Sequence, residues 1–145
     1  MDYLKAVSEN LKYLMGEKEL NCTELSRSVN IDRSAIARYL RGERLPSTPS
    51  LIALADFFGC SADFILGRDE FPAEVAAKPC PPFSEQLKIL LKKHNVSKYR
   101  LQKDTGINER TISEWAAGRF VPDVGNVIVL ADYFKTSTDM VLGRV

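Results

Sequence analysis

The chain repeats itself. Val7 to Arg68 align with Phe83 to Arg144 at a constant offset of 76 positions and without a gap. About a third of the aligned positions are identical. The identities fall on apolar and turn residues: Leu11/Leu87, Leu14/Leu90, Leu25/Leu101, Ile31/Ile107, Ile36/Ile112, Gly42/Gly118, Pro46/Pro122, Leu54/Leu130 and Leu66/Leu142. Such a pattern keeps what folding needs and frees the rest, so the chain must be two copies of one small unit. At 145 residues there is room for two units, each of a size that only just buries a core. Between the copies lies DEFPAEVAAKPCPP, with four prolines in 14 residues. That composition resists helix and packs poorly. Two domains over 1–68 and 82–145, joined by a Pro-rich linker over 69–81, are expected.

Each copy reads as five short helices. Leu4, Val7, Leu11 and Leu14 recur at the spacing of one buried helix face. Asn21 with Glu24 has the form of a capping box, opening a second helix that carries Leu25 and ends near Val29. Asn30 and Gly106 share one turn position, and both residue types accept the left-handed conformation that stops a helix. Asp32 and Asn108 then cap a third helix closed by Gly42 and Gly118. Thr48-Pro49 suits a cap and first-turn proline for a fourth, and Ser61 with Gly67 brackets a fifth of little more than one turn. The repeated endings LADFFGCSADFILGR and LADYFKTSTDMVLGR are then the fourth helix and the lid behind it. Leu54, Phe58, Leu66, Leu130, Phe134 and Leu142 are expected in the cores, and the fold class is all-α.

Several function classes are excluded early. One histidine, three cysteines without C-x-x-C spacing and no glycine-rich phosphate loop supply no catalytic set and no metal ligands. No catalytic residue, cofactor or metal is therefore expected. The amphipathic N-terminus and the lack of a long apolar run argue against a leader peptide or a membrane span, so a cytoplasmic location is expected. A net charge of +1 gives no attraction of the whole molecule to nucleic acid. Any such case rests on where the charges lie.

Two short helices joined by a three- or four-residue turn define a helix-turn-helix, whose second helix can enter the major groove of DNA. The stretches TELSRSVNIDRSAIARYLRGERLPS and YRLQKDTGINERTISEWAAGRFVPD resemble that motif in the phage repressor and Cro-like (XRE) family of regulators. The joint pattern of Leu25, Ile31, Ile36, Gly42 and Pro46, and the LADFFGCSADFILGR type of ending, carry the likeness. It implies a lambda-repressor-like domain in tandem, double-stranded DNA as partner, and a transcriptional regulator of the repressor type. It also implies that Arg33, Ser34 and Arg38 point into the major groove. Two departures stand out. Where family members often place a phosphate-clamping glutamine, the copies have Cys22 and Lys98, which leaves Lys98 to make that contact in copy two. Where they often have an acid paired with a first-helix arginine, here Leu40 and Ala116 face Met15 and Leu91, so packing replaces an ion pair.

The copies differ where function should lie. In copy one Arg33, Ser34, Arg38, Arg41 and Arg44 ring the exposed side of the third helix, while Ile36, Tyr39 and Leu40 face inward. Arginine can bond both acceptors of guanine, and Arg41 and Arg44 near the loop reach phosphates. Copy two offers Arg110, Thr111, Ser113 and Arg119 but also Glu109 and Glu114, so it reads a different sequence or none. Trp115 aligns with Tyr39 and is expected in the core. The fourth helix of copy two is apolar nearly all round, with Val124, Val127, Ile128, Val129, Leu130, Tyr133 and Phe134. One core uses one stripe, so the surplus points to an interdomain or dimer interface through Val124, Val127, Ile128, Val129 and Tyr133. Two assemblies follow: a homodimer on a palindrome, favoured here, or an intrachain pseudo-dimer on an asymmetric site. The rival reading is a protein-interaction module of the antitoxin or anti-repressor type on the same fold.

Overall fold

A computed structural model describes residues 2–145, and among them are ten α-helices and no strand. They run α1 Tyr3–Glu17, α2 Cys22–Val29, α3 Arg33–Leu40, α4 Thr48–Phe58, α5 Ala62–Ile65, then α6 Phe83–Lys93, α7 Lys98–Thr105, α8 Glu109–Ala116, α9 Val124–Phe134 and α10 Thr138–Leu142. The chain divides into two compact units, residues 1–76 and 77–145.

In the first unit Val7, Leu11, Leu14 and Met15 of α1 meet Leu25, Ile36, Tyr39, Leu51, Leu54, Ile65 and Leu66 in one buried cluster. Leu4 departs from the expected stripe at 37% exposure, because α1 begins one turn before the core does. In the second unit Leu87, Leu90, Leu101, Ile112, Trp115, Val127, Leu130, Phe134, Val141 and Leu142 do the same work. Phe58 is the other exception: it is only half-buried, whereas its counterpart Phe134 is buried. The cause is what stands beside each ring. His94 lies over Phe134 with centroids 4.7 Å apart, while Lys18, at the matching position, sits over Phe57 instead at 5.5 Å. Leu40 is likewise half-buried rather than inward.

The caps follow the sequence with two shifts. Asn21 and Glu24 form the reciprocal capping box, and Asn30 (φ 55°) and Gly106 (φ 77°) take the left-handed conformation. The cap of α4 is Ser47, not Thr48, which places Pro49 at the second helical position. Asp32 holds the cap position of α3 without a side-chain cap bond, whereas Asn108 accepts from the Arg110 N–H at 2.8 Å. The linker does not hang free. Its Val75 N–H donates to the Gly59 carbonyl at 3.0 Å, and its Lys78 N–H donates to the Arg144 carbonyl at 2.8 Å.

The repeated ending has a physical reason that hydrophobicity alone does not supply. In each copy a buried aspartate after the lid's cap pairs with the final arginine: Asp63 with Arg68 at 2.9 Å, and Asp139 with Arg144, which is 0% exposed. In each copy a first-helix amide donates to the same lid carbonyl, Asn10 to Phe64 and Gln86 to Met140, both at 2.7 Å. Gly67 and Gly143 between them have φ near +80°, and a Cβ on Gly67 would stand 2.6 Å from that of Ala6. Only glycine fits there.

Candidate nucleic-acid interface

Asn30, Ile31 and Asp32 turn the chain from α2 into α3, and Gly106, Ile107 and Asn108 turn it from α7 into α8. Each turn is tied by a hydroxyl. Ser26 Oγ donates to the Ile31 carbonyl at 2.5 Å; Thr105 Oγ1 donates to Leu101 O at 2.6 Å and accepts from the Ile107 N–H at 3.2 Å. Both helix pairs are thereby fixed at the corner, as placing one helix in a groove requires.

On α3, Ile36 and Tyr39 are buried, and Arg33, Ser34 and Arg38 are exposed on the other side, with Arg41 and Arg44 exposed in the turn that follows. All five of the residues expected to meet DNA from copy one are exposed. Arg33 Nη1 reaches Thr23 Oγ1 at 3.4 Å, a long contact that leaves most of the guanidinium free. Arg41 is different: its Nε and Nη2 meet the two carboxylate oxygens of Glu43 at 3.0 and 3.1 Å. That hydrogen-bonded pair holds Glu43 below the usual carboxylate range and raises Arg41 further. A phosphate contact by Arg41 must compete with Glu43. The pair spans Gly42, whose φ is 70°.

Copy two presents another surface. Arg110 is ion-paired to Glu114 one turn on, at 3.2 Å, and Glu109 is exposed beside it. Ser113 and Arg119 are exposed and Thr111 is half-buried. Phe120 and Val121, where copy one has Arg44 and Leu45, are 61% and 55% exposed. Trp115 lies in the core, edge-on to Phe83 with centroids 5.9 Å apart, and is out of reach of a nucleotide base. Lys98 opens α7 and is exposed.

The surplus apolar surface expected on α9 is mostly absent. Val124, Val127, Ile128, Leu130 and Phe134 are buried within the chain, which leaves Val129 at 38% exposure and part of Tyr133. A five-helix unit wraps this helix on nearly every side because α7 and α10 both pack on it. The Tyr133 hydroxyl donates to Asp104 Oδ2 at 2.6 Å, and Arg100 Nε donates to the same oxygen at 3.0 Å. This network, invisible in sequence because residues 104 and 133 are far apart, pins α9 to α7. The tyrosine bond first and the arginine second hold Asp104 below its ordinary value, and the same bond raises Tyr133.

Among the described residues no group of three or more His, Cys, Asp or Glu side chains is placed to hold a metal ion, and no helix is long and apolar enough to cross a membrane. No curated protein and no solved structure matches the chain. One family model does, twice: the helix-turn-helix model HTH_3 matches residues 11–65 and again 87–141. Those spans cover three quarters of the sequence and contain both corners just described. The chain is a member of the HTH_3 helix-turn-helix family, a DNA-binding regulator of XRE type built from two tandem copies of the domain.

Proposed function

We propose that the chain is a sequence-specific repressor that reads the major groove with α3 of its first unit. The observation that carries this reading is the exposed set Arg33, Ser34 and Arg38 on α3, backed by Ile36 and Tyr39 in the core and flanked by Arg41 and Arg44. Guanidinium forks on a rigid helix suit guanine edges, and the flanking pair suits phosphates. Repression follows where the bound site overlaps a promoter and the protein excludes polymerase. One chain on an asymmetric site is favoured over a homodimer on a palindrome, because, of the α9 residues that would join two chains, Val124, Val127 and Ile128 are buried in the chain itself, which leaves only Val129 and part of Tyr133. A helix-turn-helix used only to hold a protein partner has one observation on its side, the exposed Phe120 and Val121 beside an acid-bearing α8.

Selection of bound duplexes from a random pool, followed by footprinting and light scattering of the complex, tests this. The expected result is a single enriched asymmetric site held by one chain. No enrichment over the starting pool would overturn sequence-specific reading, and a palindrome held by two chains would overturn the assembly.

A further inference from the structure

The net charge of +1 conceals an opposition. Residues 1–76 carry nine basic and twelve acidic side chains, and residues 77–145 carry eleven and seven. The unit with the arginine-bearing α3 is thus acidic by three charges, and the other is basic by four. Part of this is the linker, where Asp69, Glu70 and Glu74 fall in the first unit and Lys78 in the second. Over the matched spans 7–68 and 83–144 the net charges are 0 and +3, and that difference is largest in two places, where it runs in opposite directions. Residues 7–29 carry three basic and four acidic groups, while their counterparts 83–105 carry six and two. On the reading helix, Arg33 and Arg38 are replaced by Glu109 and Glu114. On the helices before it, Glu17 and Glu24 are replaced by Lys93 and Arg100, and Gly16 and Cys22 by Lys92 and Lys98.

We propose that the second unit is a sequence-independent grip on the phosphate backbone of duplex DNA, made through α6 and α7, and that α8 selects no sequence. The proposal deepens the DNA-reading function and rests on it. Lys88, Lys92 and Lys93 on α6, with Lys98 and Lys103 on α7, are all exposed. Among the described residues, none of Lys88, Lys92, Lys93 and Lys98 is in an ion pair. Lys92 and Arg100 border one shallow cleft at the α6–α7 corner, together with Asn95, Val96 and Ser97. Arg100 is held there by Asp104 through Nε at 3.0 Å. The pull of a helix C-terminus explains lysines in the last turn of α6. It does not explain Lys88, Lys98 or the reversal of charge at matched positions. Unpaired lysines release counterions when they meet phosphate, a gain that is blind to base sequence. On α8 the one arginine at a reading position, Arg110, is already neutralised by Glu114, and glutamates beside phosphates repel.

The division of labour is testable in the full chain. Lys92→Gln/Lys93→Gln/Lys98→Gln, its helix content checked by circular dichroism, is compared with the parent on the selected site and on random duplex across a salt series. Both affinities should fall by the same factor, and the slope of log K against log salt should become shallower by roughly 2 to 3 units, about 0.9 for each phosphate no longer neutralised. Arg110→Ala/Ser113→Ala should leave the enriched sequence unchanged. A folded lysine variant with an unaltered salt slope, or an altered enriched sequence in the α8 variant, would overturn the proposal. Arg33→Ala separates the two levels. Loss of the selected site by Arg33→Ala alongside an inert lysine variant sinks only the grip, whereas no loss in either sinks DNA reading as well.

Discussion

Replacing Asp139 by alanine should strongly destabilise the second unit and leave the first unchanged. Its carboxylate is paired with Arg144, a guanidinium with 0% exposure, and the pair ties the lid of the unit to its last residues. Deleting one partner of a buried pair leaves the other charge buried with less to compensate it, a cost of about 3–5 kcal/mol. A unit of roughly 70 residues has little more than that in total, and each kcal/mol displaces its melting point by about 4–8 °C. A fall on the order of 20 °C is expected for this unit alone. Trp115 is the only tryptophan and is buried in the second unit, so its fluorescence follows that unit while circular dichroism follows both. The equivalent Asp63→Ala should cost less, because the Arg68 side chain keeps 18% of its surface in water. The double change Asp139→Leu/Arg144→Met should recover much of the loss, since the penalty comes from a buried charge that has lost compensation rather than from the missing attraction. A fluorescence melt of Asp139→Ala within a few degrees of the parent, or a loss no larger than that of Asp63→Ala, would refute this reasoning.

Other substitutions probe the rest of the scaffold and the surface. Gly67→Ala should destabilise the first unit by more than about 1 kcal/mol in chemical denaturation, since alanine meets both a left-handed backbone and the Ala6 methyl at 2.6 Å. Leu54→Ala and Leu130→Ala should each cost about 2–5 kcal/mol, and Phe134→Ala should cost clearly more than Phe58→Ala, as their different burial requires. Glu43→Gln frees Arg41 for phosphate and should tighten binding to all duplexes alike at low salt. Tyr133→Phe removes the main cause of the lowered Asp104 value, so the carboxyl should titrate closer to its ordinary range by NMR. Because a lowered carboxylate contributes stability that is lost as pH falls through its folded value, the Tyr133→Phe variant should shed that contribution at a higher pH than the parent.

The repeat, the helix stops and the core stripes are legible because each is written in local chemistry. An asparagine or glycine at one turn position and leucines at three and four need no knowledge of the tertiary fold. The one-residue shift at Ser47 arises because serine and threonine both serve as caps, and neighbouring candidates are distinguished only by the loop that delivers them. The α9 surface escapes a sequence reading for a different reason. Apolar residues around a whole helix say that it is covered, but not by what, and here α7 and α10 of the same unit cover it. The Arg110–Glu114 pair is readable from its spacing of four; the Arg41–Glu43 pair spans the turn at the left-handed Gly42, and the Tyr133–Asp104 bond requires the packed fold.

The central claim, that α3 of the first unit reads bases, is met most directly by paired affinities of Arg33→Ala and Arg38→Ala on the selected site and on random duplex at one salt concentration. Both arginines are exposed, so the fold should be intact. Each variant should lose about 1–3 kcal/mol on the selected site and much less on random DNA, because a fork on guanine is lost only where the guanine is present. Equal losses on both duplexes, or none on either, would contradict the account.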